Sequence, residues 1–246
     1  MNNIHIKIFG LIGKSLSHSF SRQFFTNIFA HNQVDNAEYR LFPLEKIDDI
    51  VDLLKYPSLH GFNVTIPYKT QIISYLDGLD SVAEEIGSVN CVVRQNNKWI
   101  GYNTDIIGFE VMFREVKDSK GSALVLGSGG ASKSVCYFLK QRDIPFQIVS
   151  RNKTDKTITY IEVSSELIHN STFIINTTPL GMHPNIGEIP QIPFTAFHHN
   201  NILIDLIYNP EETLFLQEGK KRGALTMNGL QMFYAQAEAT LQLFNI

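Results

Sequence analysis

The chain has 246 residues, 43% hydrophobic and 18% charged, with a formal net charge of -3, enough for one large or two modest domains with a real core. The faint negative balance gives no reason to expect nucleic acid or an anionic membrane as partner, so any bound anion must be held by local groups. Cys91 and Cys136 lie far apart and outside metal-ligand spacing, which predicts free thiols in a reducing compartment and no metal.

The first stretch alternates Ile4, Ile6 and Ile8 with His5 and Lys7, a strand with one buried face. Its two polar residues argue against a signal peptide, and no run reaches the roughly 18 apolar residues that span a bilayer; a cytoplasmic protein is expected. A polar loop, Lys14 to Ser21, precedes a helix carrying Phe24, Phe25, Ile28 and Phe29. A strand is expected over Glu38 to Leu44, a helix face at Ile47, Ile50, Val51 and Leu54, and a strand over His60 to Thr65. A polar helical stretch to Gly87 follows, then a hairpin of Val89–Arg94 and Lys98–Gly101 around Gln95-Asn96-Asn97.

A helix from Thr104 to about Lys117 leads to the strand Ala123–Leu126, a glycine turn and a helix over about Ala131 to Gln141. Further strands are expected at Phe146–Ser150, Thr157–Val163, Thr172–Asn176 and Ile202–Leu206, and a last helix over Gly229 to Phe244. Strands alternating with helices predict an α/β fold with parallel sheets covered on both faces. The expected division is 1–103 plus 229–246 as one domain and 104–228 as the other.

Gly127-Ser128-Gly129-Gly130-Ala131-Ser132 joins a strand to a helix start. Glycines let the chain turn sharply and let a pyrophosphate approach free amides at the positive end of a helix dipole. The common third glycine is Ser132 here, and such a turn is also compatible with plain structure. The next strand ends in Ser150-Arg151-Asn152-Lys153-Thr154, with no carboxylate before Asp155 where NAD-binding domains usually place one. Two cations and two hydroxyls suit a 2′-phosphate, so NADP is favoured over NAD.

In Gly61–Lys69 a strand delivers Asn63 and Thr65 to one face and Pro67 ends it. Lys69 then falls at an expected helix start, where a helix dipole would make it easier for the lysine to exchange a proton. An ordinary surface lysine remains the plain alternative. Asp105 stands where the hairpin passes into a helix, and Thr104 or Asp105 could equally cap it. Ser19 and Ser21 offer two hydroxyls to a polyol or a carboxylate, or to a helix cap.

Taken together, H-S-x-S at 18–21, N-V-T-x-P-x-K at 63–69, G-S-V-N at 87–90 and N-T-D at 103–105 resemble the shikimate dehydrogenase family. The resemblance continues with G-x-G-G-A at 127–131, N-T-T-P-L-G at 176–181, D-x-x-Y-x-P at 205–210 and G-L-x-M-x-x-x-Q at 229–236. It implies an N-terminal substrate-binding domain, a Rossmann-type doubly wound NADP-binding domain, and a C-terminal helix returning to the first. It implies that Ser19 and Ser21 bind the substrate carboxylate, that Thr65, Asn90 and Gln236 bind its hydroxyls, and that Tyr208 lies at the substrate cleft between the domains. Lys69 and Asp105 would form the catalytic pair. Gly127, Ser128, Gly129, Gly130 and Ala131 would hold the pyrophosphate, and Ser150, Arg151, Asn152, Lys153 and Thr154 the 2′-phosphate. Thr178, Leu206 and Gly229 would touch the nicotinamide half.

The chain departs from the family pattern where Ser15 and Arg22 replace prolines and Cys91 replaces a threonine. The helix usually expected between the strands at 150 and 157 has no room. The implied activity is NADPH-dependent reduction of 3-dehydroshikimate to shikimate, with Lys69 as proton donor. Quinate as substrate, or a non-catalytic sensor of the same fold, are the competing readings; a retained proton relay argues against the sensor. A small-molecule substrate and a monomer or homodimer are expected.

Overall fold

The computed structural model describes residues 6–17 and 19–246; Ile4, His5 and His18, which figure in the expected first strand and polar loop, lie outside the described residues. Two compact units are present, Met1–Thr104 with Ala237–Ile246 and Asp105–Gln236.

The first unit contains β1 (Lys7–Gly13), α1 (Ser21–His31), β2 (Ala37–Pro43), α2 (Ile50–Leu54), β3 (Leu59–Val64), β4 (Gly78–Leu79), α3 (Ser81–Ile86), β5 (Cys91–Gln95) and β6 (Lys98–Tyr102). They form one sheet in the order β2-β1-β3-β5-β6-β4. β1 is parallel to β2 and β3, whereas β5 runs antiparallel to both β3 and β6. The sheet is therefore mixed: β5 and β6 form the expected hairpin, and the antiparallel pairing of β5 with β3 is the departure from the expected parallel strands. The hairpin has a local cause: Gln95 pairs with Lys98, and Asn96 and Asn97 between them have φ of 49° and 60°. A two-residue turn of that handedness matches strand twist and forces an antiparallel return. The loop is thus one residue shorter than expected.

The expected polar helix up to Gly87 is broken into a 3-10 turn at Gln71–Tyr75, β4 and α3. Asp80 starts α3 by accepting from the Ala83 amide at 2.8 Å, and left-handed Gly87 ends it. Phe9, Phe25, Phe29, Tyr39 and Phe244 share one core, in which Phe25 stacks on Tyr39 with ring centres 4.4 Å apart.

The second unit contains α4 (Asp105–Phe113), β7 (Ser122–Leu126), α5 (Gly130–Gln141), β8 (Phe146–Ser150), β9 (Thr157–Thr159), α6 (Ser165–Asn170), β10 (Ser171–Asn176), β11 (Ile202–Asp205), α7 (Leu214–Lys220) and β12 (Leu225–Met227), and it takes in the first turns of α8 (Leu230–Phe244). All neighbours in its sheet are parallel, in the order β12-β11-β10-β7-β8-β9. Counted within the unit this is the doubly wound Rossmann order. Ala123 and Val125 enter the core on one face with Phe109, Phe138 and Phe173, while Leu124 and Leu126 enter the other with Val149, Ile174 and Leu203. Burial on both faces explains the unbroken apolar run of β7.

Residues 151–156 join β8 to β9 without a helix. The expected strand to Val163 stops at Thr159, where Thr159 and Glu162 form a capping box and open a 3-10 turn. Likewise the expected helix to Lys117 is α4 followed by a 3-10 turn at Arg114–Val116. α6, α7 and β12 are too short for their periodicity to stand out in the sequence. Met232 of α8 packs with Phe109 and Phe113, whereas Ala237, Leu241 and Phe244 of the same helix pack with Phe9 and Phe25. Among the described residues no helix is long and apolar enough to cross a membrane.

Candidate active site

At the carboxyl end of β7, Gly127 adopts φ of 110°, and a Cβ there would stand 2.7 Å from the Thr177 hydroxyl. Only glycine fits both conditions. α5 starts beyond Gly129 with no side-chain cap and no acidic residue in its first turn. A Cβ on Gly129 would meet nothing within 4 Å. Uncapped amides, the positive end of a twelve-residue helix and open space in front of them fit a pyrophosphate.

Ser128 at this turn meets Ser150 at the end of β8, hydroxyl to hydroxyl, at 2.9 Å. Arg151, Asn152, Lys153 and Thr154 follow, all exposed. The Thr154 hydroxyl lies 3.0 Å from that of Thr157, which in turn donates to the Asn152 carbonyl at 3.1 Å. Lys153 is paired with Glu162. The lysine, then the Thr159 amide and hydroxyl, hold the Glu162 carboxyl down at about 2. This acid was not singled out in the sequence, since it follows a turn that periodicity does not announce.

Thr178, Leu206, Tyr208 and Gly229 lie beyond the carboxyl ends of β10, β11 and β12. They are held by a buried network. Asp205 accepts from the Asn176 side chain at 3.0 Å and the Ile207 amide at 3.1 Å on one oxygen, and from the Thr213 hydroxyl at 2.6 Å on the other. Asn176 in turn accepts from the Thr178 amide at 3.1 Å and the Thr178 hydroxyl at 2.7 Å. Burial pushes the Asp205 carboxyl up to about 6 and the Tyr208 hydroxyl up to about 12. Gly229 donates to the Ile207 carbonyl at 3.0 Å and lies so close to Leu206 that a Cβ would come within 2.1 Å of its carbonyl oxygen. Asn176, Asp205 and Thr213 carry no expected role in the sequence. An aspartate closing the apolar run Ile202–Asp205 was the available signal, because an ionisable group is rarely buried without a task.

In the first unit, Thr65 and Lys69 follow the carboxyl end of β3, and Ser19 and Ser21 follow that of β1. Ser19 accepts from the Ser21 amide at 3.2 Å, which helps open α1. Lys69 is half-buried in a turn, and only a 3-10 turn follows it. No α-helix begins there, so the expected helix-dipole effect on Lys69 has no basis. What fixes Lys69 is its carbonyl, which accepts from the Val89 amide at 2.7 Å. The adjacent Asn90 is buried, and its side-chain oxygen accepts from the Thr104 amide at 2.6 Å. Residues 89–90 therefore anchor both the backbone of Lys69 and the residue before Asp105. Asp105 is the first residue of α4 and is buried. Gln236 of α8 is half-buried and donates to the Phe233 carbonyl at 3.0 Å.

In each unit the named residues thus gather mainly where parallel strands end, the place α/β sheets bind ligands. Residues 11–92 match a family model described as the shikimate dehydrogenase substrate binding domain. The chain is 37% identical, over 99% of its length and 94% of the relative's, to the shikimate dehydrogenase (NADP(+)) of Methanococcus aeolicus. It is similar to the crystal structure of shikimate dehydrogenase 1 from Peptoclostridium difficile, with a TM-score of 0.84 and 36% identity over 98% of this chain and 92% of that one. A shikimate dehydrogenase solved in complex with NADP+ is similar with a TM-score of 0.82 and 32% identity over 97% of this chain and 90% of that one. Likeness of this extent has one meaning: the chain belongs to the shikimate dehydrogenase family.

Proposed function

We propose that the chain is an NADP-dependent oxidoreductase that interconverts 3-dehydroshikimate and shikimate. The observation that carries this is its 37% identity, across 99% of its length, to an enzyme named for that activity and that coenzyme. The open, uncapped start of α5 and the basic loop after β8 supply the groups such a coenzyme needs.

Bound NADPH supplies the hydride. As the substrate carbonyl gains negative charge, Lys69 donates a proton to its oxygen, with Asp105 as the partner carboxylate that keeps the ammonium in place; such proton transfer typically contributes about 100- to 10,000-fold. Ser19 and Ser21 hold the substrate carboxylate, and Thr65, Asn90 and Gln236 its hydroxyls, with Tyr208 beside them. Ser128 and the Gly127–Ala131 backbone hold the pyrophosphate, while Ser150, Arg151, Asn152, Lys153 and Thr154 hold the 2′-phosphate. Thr178, Leu206 and Gly229 face the nicotinamide half. As proposed, residues 1–103 with 229–246 carry the substrate and 104–228 the coenzyme. The protein works on small molecules as a monomer or homodimer in the cytoplasm.

Absorbance of the reduced nicotinamide, followed with shikimate or quinate against NADP or NAD, tests the reading. Shikimate with NADP should give the highest kcat/KM, and Lys69→Ala should remove at least about 100-fold of it in a folded protein. No turnover with any pairing would refute an enzyme.

A further inference from the structure

Three donors from three segments converge on a single buried carboxylate at the end of β11. Asn176 comes from the end of β10, the Ile207 amide from the loop after β11, and Thr213 from the start of α7. Asp205, Asn176 and Thr213 are each at most 1% exposed. Only a group that accepts at both oxygens satisfies all three, since an amide of the same shape turns a donor toward one of them. The two side-chain partners are themselves committed. Asn176 accepts from Thr178 through both its amide and its hydroxyl, and Thr213 caps α7 by accepting from the Leu216 amide at 3.4 Å. The Leu206 amide donates to the Asn176 carbonyl at 3.0 Å, so the two loops are also tied through the backbone.

We infer that Asp205 is a positioning residue that locks the loops bearing Thr178, Leu206 and Tyr208 into one rigid wall for the reacting end of the coenzyme. The inference rests on the proposed assignment of those residues to the nicotinamide side. A hydrophobic residue would fill the same volume, and desolvating a carboxylate opposes folding. What the carboxylate adds is direction: its bonds fix the end of β10 and both ends of the loop from β11 to α7, and a shared acceptor makes their placements interdependent. The residues proposed for the pyrophosphate and the 2′-phosphate lie at and beyond the carboxyl ends of β7 and β8, outside this network, so the two ends of the coenzyme should respond differently when it is broken.

The test is Asp205→Asn, assayed at pH 8, above the carboxyl's value of about 6. NADP and adenosine 2′,5′-bisphosphate, which has no nicotinamide half, are compared by titration calorimetry. Expected are a loss of kcat of about tenfold or more and weaker NADP binding, with the bisphosphate bound as in the wild type. Thr213→Val, which removes one donor at constant shape, should show the same pattern more mildly, and Thr213→Ser should restore it; these variants decide the matter where Asp205→Asn does not fold. Folded variants with unchanged kcat and NADP affinity would overturn the inference, as would equal weakening of both ligands. If the wild type binds neither ligand, the proposed function itself fails and the inference falls with it.

Discussion

Asn90 grips Thr104 with both ends of its side-chain amide, the oxygen accepting from the Thr104 amide at 2.6 Å and the nitrogen donating to the Thr104 hydroxyl at 2.9 Å. The pair is buried and sits one residue before Asp105. Asn90→Ala leaves the Thr104 amide without that acceptor, which costs about 1–3 kcal/mol. Urea unfolding should show this loss, and turnover should fall both because the backbone entering Asp105 is no longer held and because Asn90 is a proposed ligand of the substrate hydroxyls. An unchanged unfolding midpoint would remove the anchoring role.

Two glycines make opposite predictions. Gly129 has open space where a side chain would go, so Gly129→Ala should change stability by less than about 1 kcal/mol. Its methyl group would occupy the space assigned to the pyrophosphate, and NADP affinity should drop at least tenfold. Gly229→Ala instead drives a methyl group into the Leu206 backbone and should destabilise the fold by about 1–3 kcal/mol as well as weaken NADP. Thermal melts with and without NADP separate the two patterns; a Gly129→Ala protein that binds NADP normally would contradict the site.

Stability should carry a pH signature from Asp205. Burial raises its carboxyl from 3.8 to about 6, so the folded chain holds this proton more tightly than the unfolded one. Its contribution is then fully present below about pH 4 and is lost as the pH rises through 6. Relative to Asp205→Asn, the wild type should lose on the order of 3 kcal/mol between pH 4 and pH 7. A stability difference that stays level over this interval would show that the carboxyl titrates normally.

Glu162 should temper the choice of coenzyme. Its carboxylate pairs with Lys153, a proposed 2′-phosphate ligand, and stays ionised throughout the working range. Glu162→Gln removes a negative charge from beside the lysine and should lower KM for NADP by roughly twofold to fivefold, the scale of an exposed ion pair, while leaving KM for NAD nearly unchanged. Equal effects on both coenzymes would place Lys153 away from the 2′-phosphate.

Much of this architecture is legible in the sequence because its signals are local. The run Ala123–Leu126 followed by Gly127 declares a buried parallel strand and a tight turn, and Asn96-Asn97 declares a hairpin. The antiparallel place of β5 beside β3 was missed because strand pairing is a long-range choice that alternation alone does not encode. β4, α6 and β12 escaped since a few residues show no period. The Asp205 network was hidden for a different reason: its members come from 176, 205 and 213, and only the fold reveals that three donors face one acid. Lys69 illustrates the reverse, a residue expected at a helix start but followed by a 3-10 turn, which supplies no helix dipole.

Phe9 and Phe244 stack with ring centres 4.4 Å apart, although one lies in the first strand and the other in the last helix. Covering the aromatic cluster around Phe9, Phe25 and Phe29 therefore requires closing a very long loop of chain, and contacts of that range form slowly during folding. The Rossmann sheet, by contrast, is complete in sequence by Met227. The core of the first unit thus hangs on a contact of far longer range than any strand pairing of the Rossmann sheet, so cutting the chain before Phe244 should uncover Phe9 while leaving that sheet intact.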